Sequence, residues 1–112
     1  SAVRDFVHVV DLAKAHVAAL QKCSENKGYY IVNIGTGQGY SVLQVLKTFE
    51  KINNVKIPYK VVNKRIGDVA ISYADAQFAK RFLSWQACLG LEEMCRDSWN
   101  WQSKNHLGYC EE

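Results

Sequence analysis

Residues 31–42 read IVNIGTGQGYSV: an apolar run, glycine at every second position, then the opening of an amphipathic segment. A strand, a glycine-rich turn and a helix is the arrangement in which backbone N–H groups converge on a phosphate or a dinucleotide. The spacing decides whether this stretch does so. A dinucleotide fingerprint is G-x-G-x-x-G, whose third glycine lets the helix pack closely on the strand. Gly35, Gly37 and Gly39 form G-x-G-x-G, and Tyr40 stands where the third glycine belongs. The acidic residue that would end the next strand and hold a ribose is missing, since that stretch runs into Asn63, Lys64 and Arg65. No Gly-Lys-Ser/Thr follows, which excludes a Walker-type loop. The stretch therefore reads as a tight strand-to-helix turn needing positive φ, with Ser41 capping the helix.

Around this turn, residues 29–34 (YYIVNI) are aromatic and β-branched and predict a buried strand. Ser41 and Gln44 have the spacing of a capping box, and Val42, Val45, Leu46, Phe49 and Ile52 form one stripe of the helix they open. Upstream, a helix from about Val9 to Cys23 carries Leu12, Ala15, Ala19 and Cys23 on one face and is ended by Glu25, Asn26 and Gly28. Downstream, Pro58 introduces a short strand, YKVV, and a polar turn, NKRIGD. A helix from about Asp75 to Phe82 is interrupted at Leu83-Ser84-Trp85. A last helix, about Leu89 to Ser103, places Leu91, Met94, Cys95, Ser98, Trp99 and Gln102 on one side. Strands alternating with helices predict an α/β fold, and residues 1–112 read as one domain or a piece of one.

Composition narrows the function. The chain is 48% hydrophobic and 22% charged, which predicts a globular protein. A formal charge of +3 with interspersed acids is too weak for a nucleic-acid partner, though it does not repel a small anion. No apolar run is long enough to span a membrane, and no signal-peptide pattern is present. Cys23, Cys88, Cys95 and Cys110 show no metal spacing, and His8, His16 and His106 add none. Idle thiols fit a reducing, cytoplasmic setting. The chain opens without Met on SAVRDFVHVV, which predicts a piece of a longer protein.

One turn has the chemistry of an anion grip. Residues 63–73 (NKRIGDVAISY) bring Lys64, Arg65 and Asp68 together around Gly67. An arginine fork donates two parallel charged hydrogen bonds to phosphate, and a nearby carboxylate accepts from hydroxyls. The same residues also read as an ordinary surface salt bridge, and Arg4-Asp5 allows both readings too. His8, beside Phe6, Val7, Val9 and Val10, reads as a structural histidine on an apolar strand. His16 reads as a packing or solvent-facing residue, and Trp85, Trp99 and Trp101 as core.

RDFVHVVDLAKAHVAAL, YYIVNIGTGQGYSVLQVL, IPYKVV-x-x-R-x-GDVA and LGLEEMCRDSWNWQSKNHLGY together resemble the C-terminal part of the UDP-glucose 4-epimerase family. This family lies in the extended short-chain dehydrogenase/reductase superfamily. The resemblance runs in order from Val3 to Gly108. It implies a UDP-sugar-binding domain whose NAD-holding Rossmann domain lies outside this chain. It implies a homodimer at full length and UDP-glucose and UDP-galactose as substrates. Carried over by position, it places Arg4 and Arg65 on the diphosphate and Asp68 on the ribose hydroxyls. Val42 and Phe6 line the nucleotide site, with Phe6 standing where the family more often has Tyr. Two departures matter: Ile66, before Gly67, replaces the usual Glu, and Ser72 is small where some members carry Tyr. The small residue implies room for UDP-N-acetylhexosamines as well.

The family's Tyr-x-x-x-Lys pair is absent. Tyr29, Tyr30, Tyr40, Tyr59 and Tyr73 are followed four residues later by Asn33, Ile34, Gln44, Asn63 and Gln77. The chain alone is therefore expected to anchor UDP and to be catalytically silent. A related sugar-nucleotide dehydratase or decarboxylase, or a non-catalytic nucleotide-binding module, are the alternatives. Without a covering domain, residues including parts of the stretch before Val9 and the 63–73 loop are expected to lose their cover, leaving the piece marginally stable or with an exposed apolar patch prone to self-association.

Overall fold

A computed structural model of the chain describes residues 1–109; Cys110 lies outside them. The elements are β1 (Val3–Arg4), α1 (Val9–Glu25), β2 (Tyr40–Ser41), α2 (Val42–Asn53), β3 (Ile71–Ser72), α3 (Gln77–Leu83) and α4 (Leu91–Lys104). The three short strands form one sheet in the order β2-β1-β3, with β1 antiparallel to β2 and parallel to β3. The fold is α/β, as the alternation predicts.

Local chemistry sets the helix ends. Ser41 accepts from the Gln44 N–H while the Gln44 side chain accepts from the Ser41 N–H, the capping box legible in the sequence. Ser84, at φ 52°, closes α3 in the left-handed region, which accounts for the interruption at Leu83-Ser84-Trp85. His8 is an extended N-cap rather than part of a strand. Its Nδ1 accepts from the Val10 N–H at 3.0 Å, so Nε2 carries the proton and donates to Asp97 of α4 at 2.8 Å. Val9 and Val10 are already helical.

The core cluster joins Ala15 of α1 to Ala79 and Leu83 of α3 and to Trp85, with Val32, Ile34 and Phe82 packed around it. Ala15 and Ala79 let the two helices approach closely, which turns α1 so that Asp11 and Ala15 face inward. Leu12 and Cys23, expected on that face, are exposed. Asp11 is 1% exposed. Its Oδ2 accepts from the Cys88 and Leu89 N–H groups at 3.0 and 2.9 Å, and its carbonyl accepts from Trp85 Nε1 at 2.9 Å. On the other side, α2 packs on α4, with Phe49 edge-on to Trp99 and Asn53 Nδ2 donating to the Cys95 carbonyl. Burial there pushes the Cys95 thiol up from its ordinary value.

Two expected strands do not form. Residues 29–34 keep a strand's alternation, with Val32 and Ile34 inward and Tyr29, Ile31 and Asn33 outward, but pair with no neighbour. Residues 59–62 are likewise unpaired and exposed. Strand propensity describes fit to a pleated surface, and these segments have no such surface beside them among the described residues.

The accessible area is 8952 Å², against roughly 6,200 Å² for a compact chain of this mass. The radius of gyration is 17.0 Å, against about 13 Å. Much of the excess is apolar: Val9, Val17 and Leu20 along α1, then Ile31, Val61, Val62 and Val69. In the stretch before Val9, parts of which were expected to lose their cover, Ser1 is exposed and residues 2–7 are half-buried around the central strand β1. Among the described residues no helix is long and apolar enough to cross a membrane.

Candidate functional site

The glycine turn does bind an anion, and the anion is part of the protein. Asp5, the residue after β1, accepts from the Thr36 N–H (3.0 Å), Thr36 Oγ1 (2.6 Å), the Gly37 N–H (2.9 Å) and the Ala74 N–H (3.2 Å). Consecutive N–H groups converging on one carboxylate make a nest. The Gln38 N–H is taken by Thr36 Oγ1 at 3.1 Å. The turn's N–H groups from 36 to 38 are thus all engaged internally, and the turn does not fit a dinucleotide. Gly37 supplies the positive φ, 77°. Gly35 is needed for closeness: a Cβ there would lie 2.5 Å from Ala74 Cβ and 2.6 Å from Asp5 Oδ2. Burial pushes the Asp5 carboxyl up, but the hydrogen bonds from Thr36, Gly37 and Ala74 outweigh it and hold the group below its ordinary value.

The sheet sets out the residues around this nest. Arg4 is Cα partner to Tyr40 on one side and to Ser72 on the other. Ser41, partner to Val3, caps α2, so Val42 starts the helix at the sheet's edge. Beyond it opens a cleft of about 620 Å³ walled by Val42 and Leu46 of α2, the unpaired 59–64 segment, and Arg65, Asp68 and Ala70. Its lining is mainly apolar, with Lys60, Lys64 and Arg65 set against Asp68. The turn is closed by the Asp68 N–H donating to the Arg65 carbonyl (3.3 Å), with Gly67 at φ 86°. Arg65 Nε donates to Asp68 Oδ2 at 2.9 Å, with the Arg65 side chain 85% exposed. Both terminal nitrogens of its fork remain available to an anion in the cleft.

Of the residues singled out from sequence, Val42, Lys64, Arg65 and Asp68 share this cleft. Gly67 forms the turn, and Ile66 stands fully in solvent. Arg4 and Ser72 sit side by side on the sheet without lining the cleft, and Arg4 Nη1 donates to the Val3 carbonyl at 2.8 Å. Phe6 is half-buried between β1 and α1. Leu43, Leu46, Tyr59 and Lys60 complete the cleft and were not legible as site residues. Asp5, read with Arg4 as part of an anion grip or a surface salt bridge, does neither and accepts from groups 31 to 69 residues away.

Residues 1–35 match the NAD dependent epimerase/dehydratase family. Over 107 residues, 96% of this chain, the sequence is 53% identical to the UDP-glucose 4-epimerase of Pasteurella multocida (strain Pm70) and 55% identical to that of Homo sapiens. Over nearly its whole length the chain is similar to one part of these UDP-glucose 4-epimerases. It spans about a third of the curated relatives it matches, 32% and 31% of these two. Among solved structures, the epimerase from Bifidobacterium longum in complex with NAD+ and UDP superimposes with a TM-score of 0.91 and 47% identity, over 97% of this chain and 32% of that one. The epimerase from Stenotrophomonas maltophila with bound NAD and formylated UDP-arabinopyranose gives 0.89 and 46%, over 93% and 31%. The epimerase-like fold thus accounts for nearly the whole of this chain and for a minor part of each relative.

Proposed function

We propose that residues 1–112 are the UDP-holding domain of a UDP-glucose 4-epimerase, which interconverts UDP-galactose and UDP-glucose through a 4-keto intermediate. The observation that carries this reading is the cleft that collects Val42, Arg65 and Asp68, together with a relative of the same fold whose structure contains NAD+ and UDP. Arg65 and Arg4 hold the diphosphate, Asp68 accepts from the ribose hydroxyls, and Val42 and Phe6 pack on the nucleotide. NAD supplies the hydride chemistry and is bound by the part of the protein outside this chain, because the glycine turn here is filled by Asp5.

Anchoring is this domain's share of the mechanism. Fixing the diphosphate draws binding energy from a part of the substrate that does not react and leaves the hexose free to turn. Ser72 leaves space beside the hexose, so UDP-N-acetylglucosamine and UDP-N-acetylgalactosamine are also substrates. The whole protein is a cytoplasmic homodimer, and this chain alone is inactive. In the full-length protein, Arg65→Ala is expected to weaken UDP and UDP-glucose by the same amount, about 1.5–3 kcal/mol. Unchanged UDP affinity in calorimetry would make Arg65 a surface residue and remove the reading.

A further inference from the structure

The most heavily engaged carboxylate near the site is not one that faces the cleft. Asp5 follows Arg4 directly, so the two side chains leave opposite faces of the strand. Its donors lie on the two chains that flank Arg4. Thr36 and Gly37 precede Tyr40, the antiparallel partner of Arg4, and Ala74 follows Ser72, the parallel partner. β2 and β3 are two residues each, too short for their ladder bonds to specify a register. A slip of one residue in either pairing would turn Arg4 or Ser72 to the other face.

We propose that Asp5 is a positioning residue of the nucleotide grip, its carboxylate pinning the glycine turn and the segment after β3 so that Arg4 and Ser72 keep their register. This rests on the UDP-anchoring reading above. The chemistry requires an aspartate. Both carboxylate oxygens receive donors, so an asparagine would turn its NH2 toward at least one N–H. Glutamate is one methylene too long, because Oδ2 already lies 2.6 Å from where a Cβ on Gly35 would be. The glycine turn, which resembles a phosphate cradle, therefore serves the nucleotide through Asp5 rather than by touching it.

The test uses the full-length protein, with UDP binding by calorimetry and steady-state kinetics on UDP-galactose. Asp5→Asn is expected to raise the UDP dissociation constant about tenfold and to raise KM by more than it lowers kcat. Thr36→Val removes the Oγ1 donor to Asp5, and with it the acceptor of the Gln38 N–H, with little change of shape; it is expected to raise the UDP dissociation constant about threefold. A purely structural role would lower the folded fraction, and with it kcat, while leaving KM and UDP affinity at wild-type values. That result overturns the proposal. If Asp5→Asn does not fold, Thr36→Val decides alone. Wild-type protein that fails to bind UDP overturns the site reading and this proposal together, whereas wild-type binding with unaffected variants overturns only this proposal.

Discussion

Arg4 and Ser72 are Cα partners across the parallel pairing of β1 and β3, so their side chains leave the same face of the sheet as neighbours. The residue proposed to shape the space beside the hexose thus stands next to the one proposed to hold the diphosphate. In the full-length protein, Ser72→Tyr is expected to lower kcat/KM for UDP-N-acetylglucosamine by roughly tenfold or more relative to UDP-galactose. Equal losses on both substrates would show that Ser72 does not set the substrate range.

Asp5 makes stability depend on acid. Its carboxyl is held below its ordinary value when folded, so the stabilisation is fully present above the unfolded carboxylate value, about 3.9. It is lost as pH falls through the lower, folded value. Thermal melts from pH 7 to 3 should therefore show wild type more stable than Asp5→Asn at neutral pH, with the gap narrowing as pH falls below about 4. A gap of constant size from pH 5 to pH 3 would mean that packing, not charge, is what Asp5 supplies.

The glycines rank by what surrounds them. Gly39→Ala would place its Cβ 2.5 Å from Val3 Cγ1 on the central strand, and Gly35→Ala would collide with Ala74 and Asp5. Each is expected to cost about 1–3 kcal/mol by overpacking. A Cβ on Gly67 meets nothing within 4 Å, so Gly67→Ala carries only the strain of φ 86°, about 1–2 kcal/mol. Chemical denaturation of the three variants checks the order.

Asp11 ties the loop between α3 and α4 to α1. Asp11→Ala leaves the Cys88 and Leu89 N–H groups without their acceptor and is expected to cost about 2–4 kcal/mol. Asp11→Asn should cost less, because both N–H groups donate to the same oxygen, which an amide carbonyl replaces. Similar losses for the two variants in denaturant titrations would show that the negative charge, not the acceptor, is required.

The exposed apolar residues Val9, Val17, Leu20, Ile31, Val61 and Val62 predict that the 112-residue chain self-associates when isolated. Light scattering coupled to gel filtration should report a mass above 12.7 kDa that rises with concentration. A monodisperse monomer with a cooperative melt would contradict this.

Helices were legible because their signals are local. The capping box at Ser41 and Gln44, the stripe from Val45 to Ile52 and the stop at Ser84 all lie within a few residues of what they control. Strands were not. YYIVNI and YKVV have the composition of strands, yet the two pairings that form use two-residue segments elsewhere. Whether a segment is a strand depends on a neighbour that its own residues do not specify. The charges of the Arg65–Asp68 turn were readable for the same local reason, since the two residues are three apart.

The sequence by itself determined the helices, the absence of a Tyr-x-x-x-Lys pair, and the wrong spacing of the glycine turn for a dinucleotide. It could not say what that turn holds instead. Only the tertiary structure placed Asp5 in the nest of Thr36 and Gly37, and Arg4 between Tyr40 and Ser72. Hydrogen bonds spanning 31 to 69 residues follow from how the chain closes on itself. Periodicity and spacing along the chain carry no record of that closure.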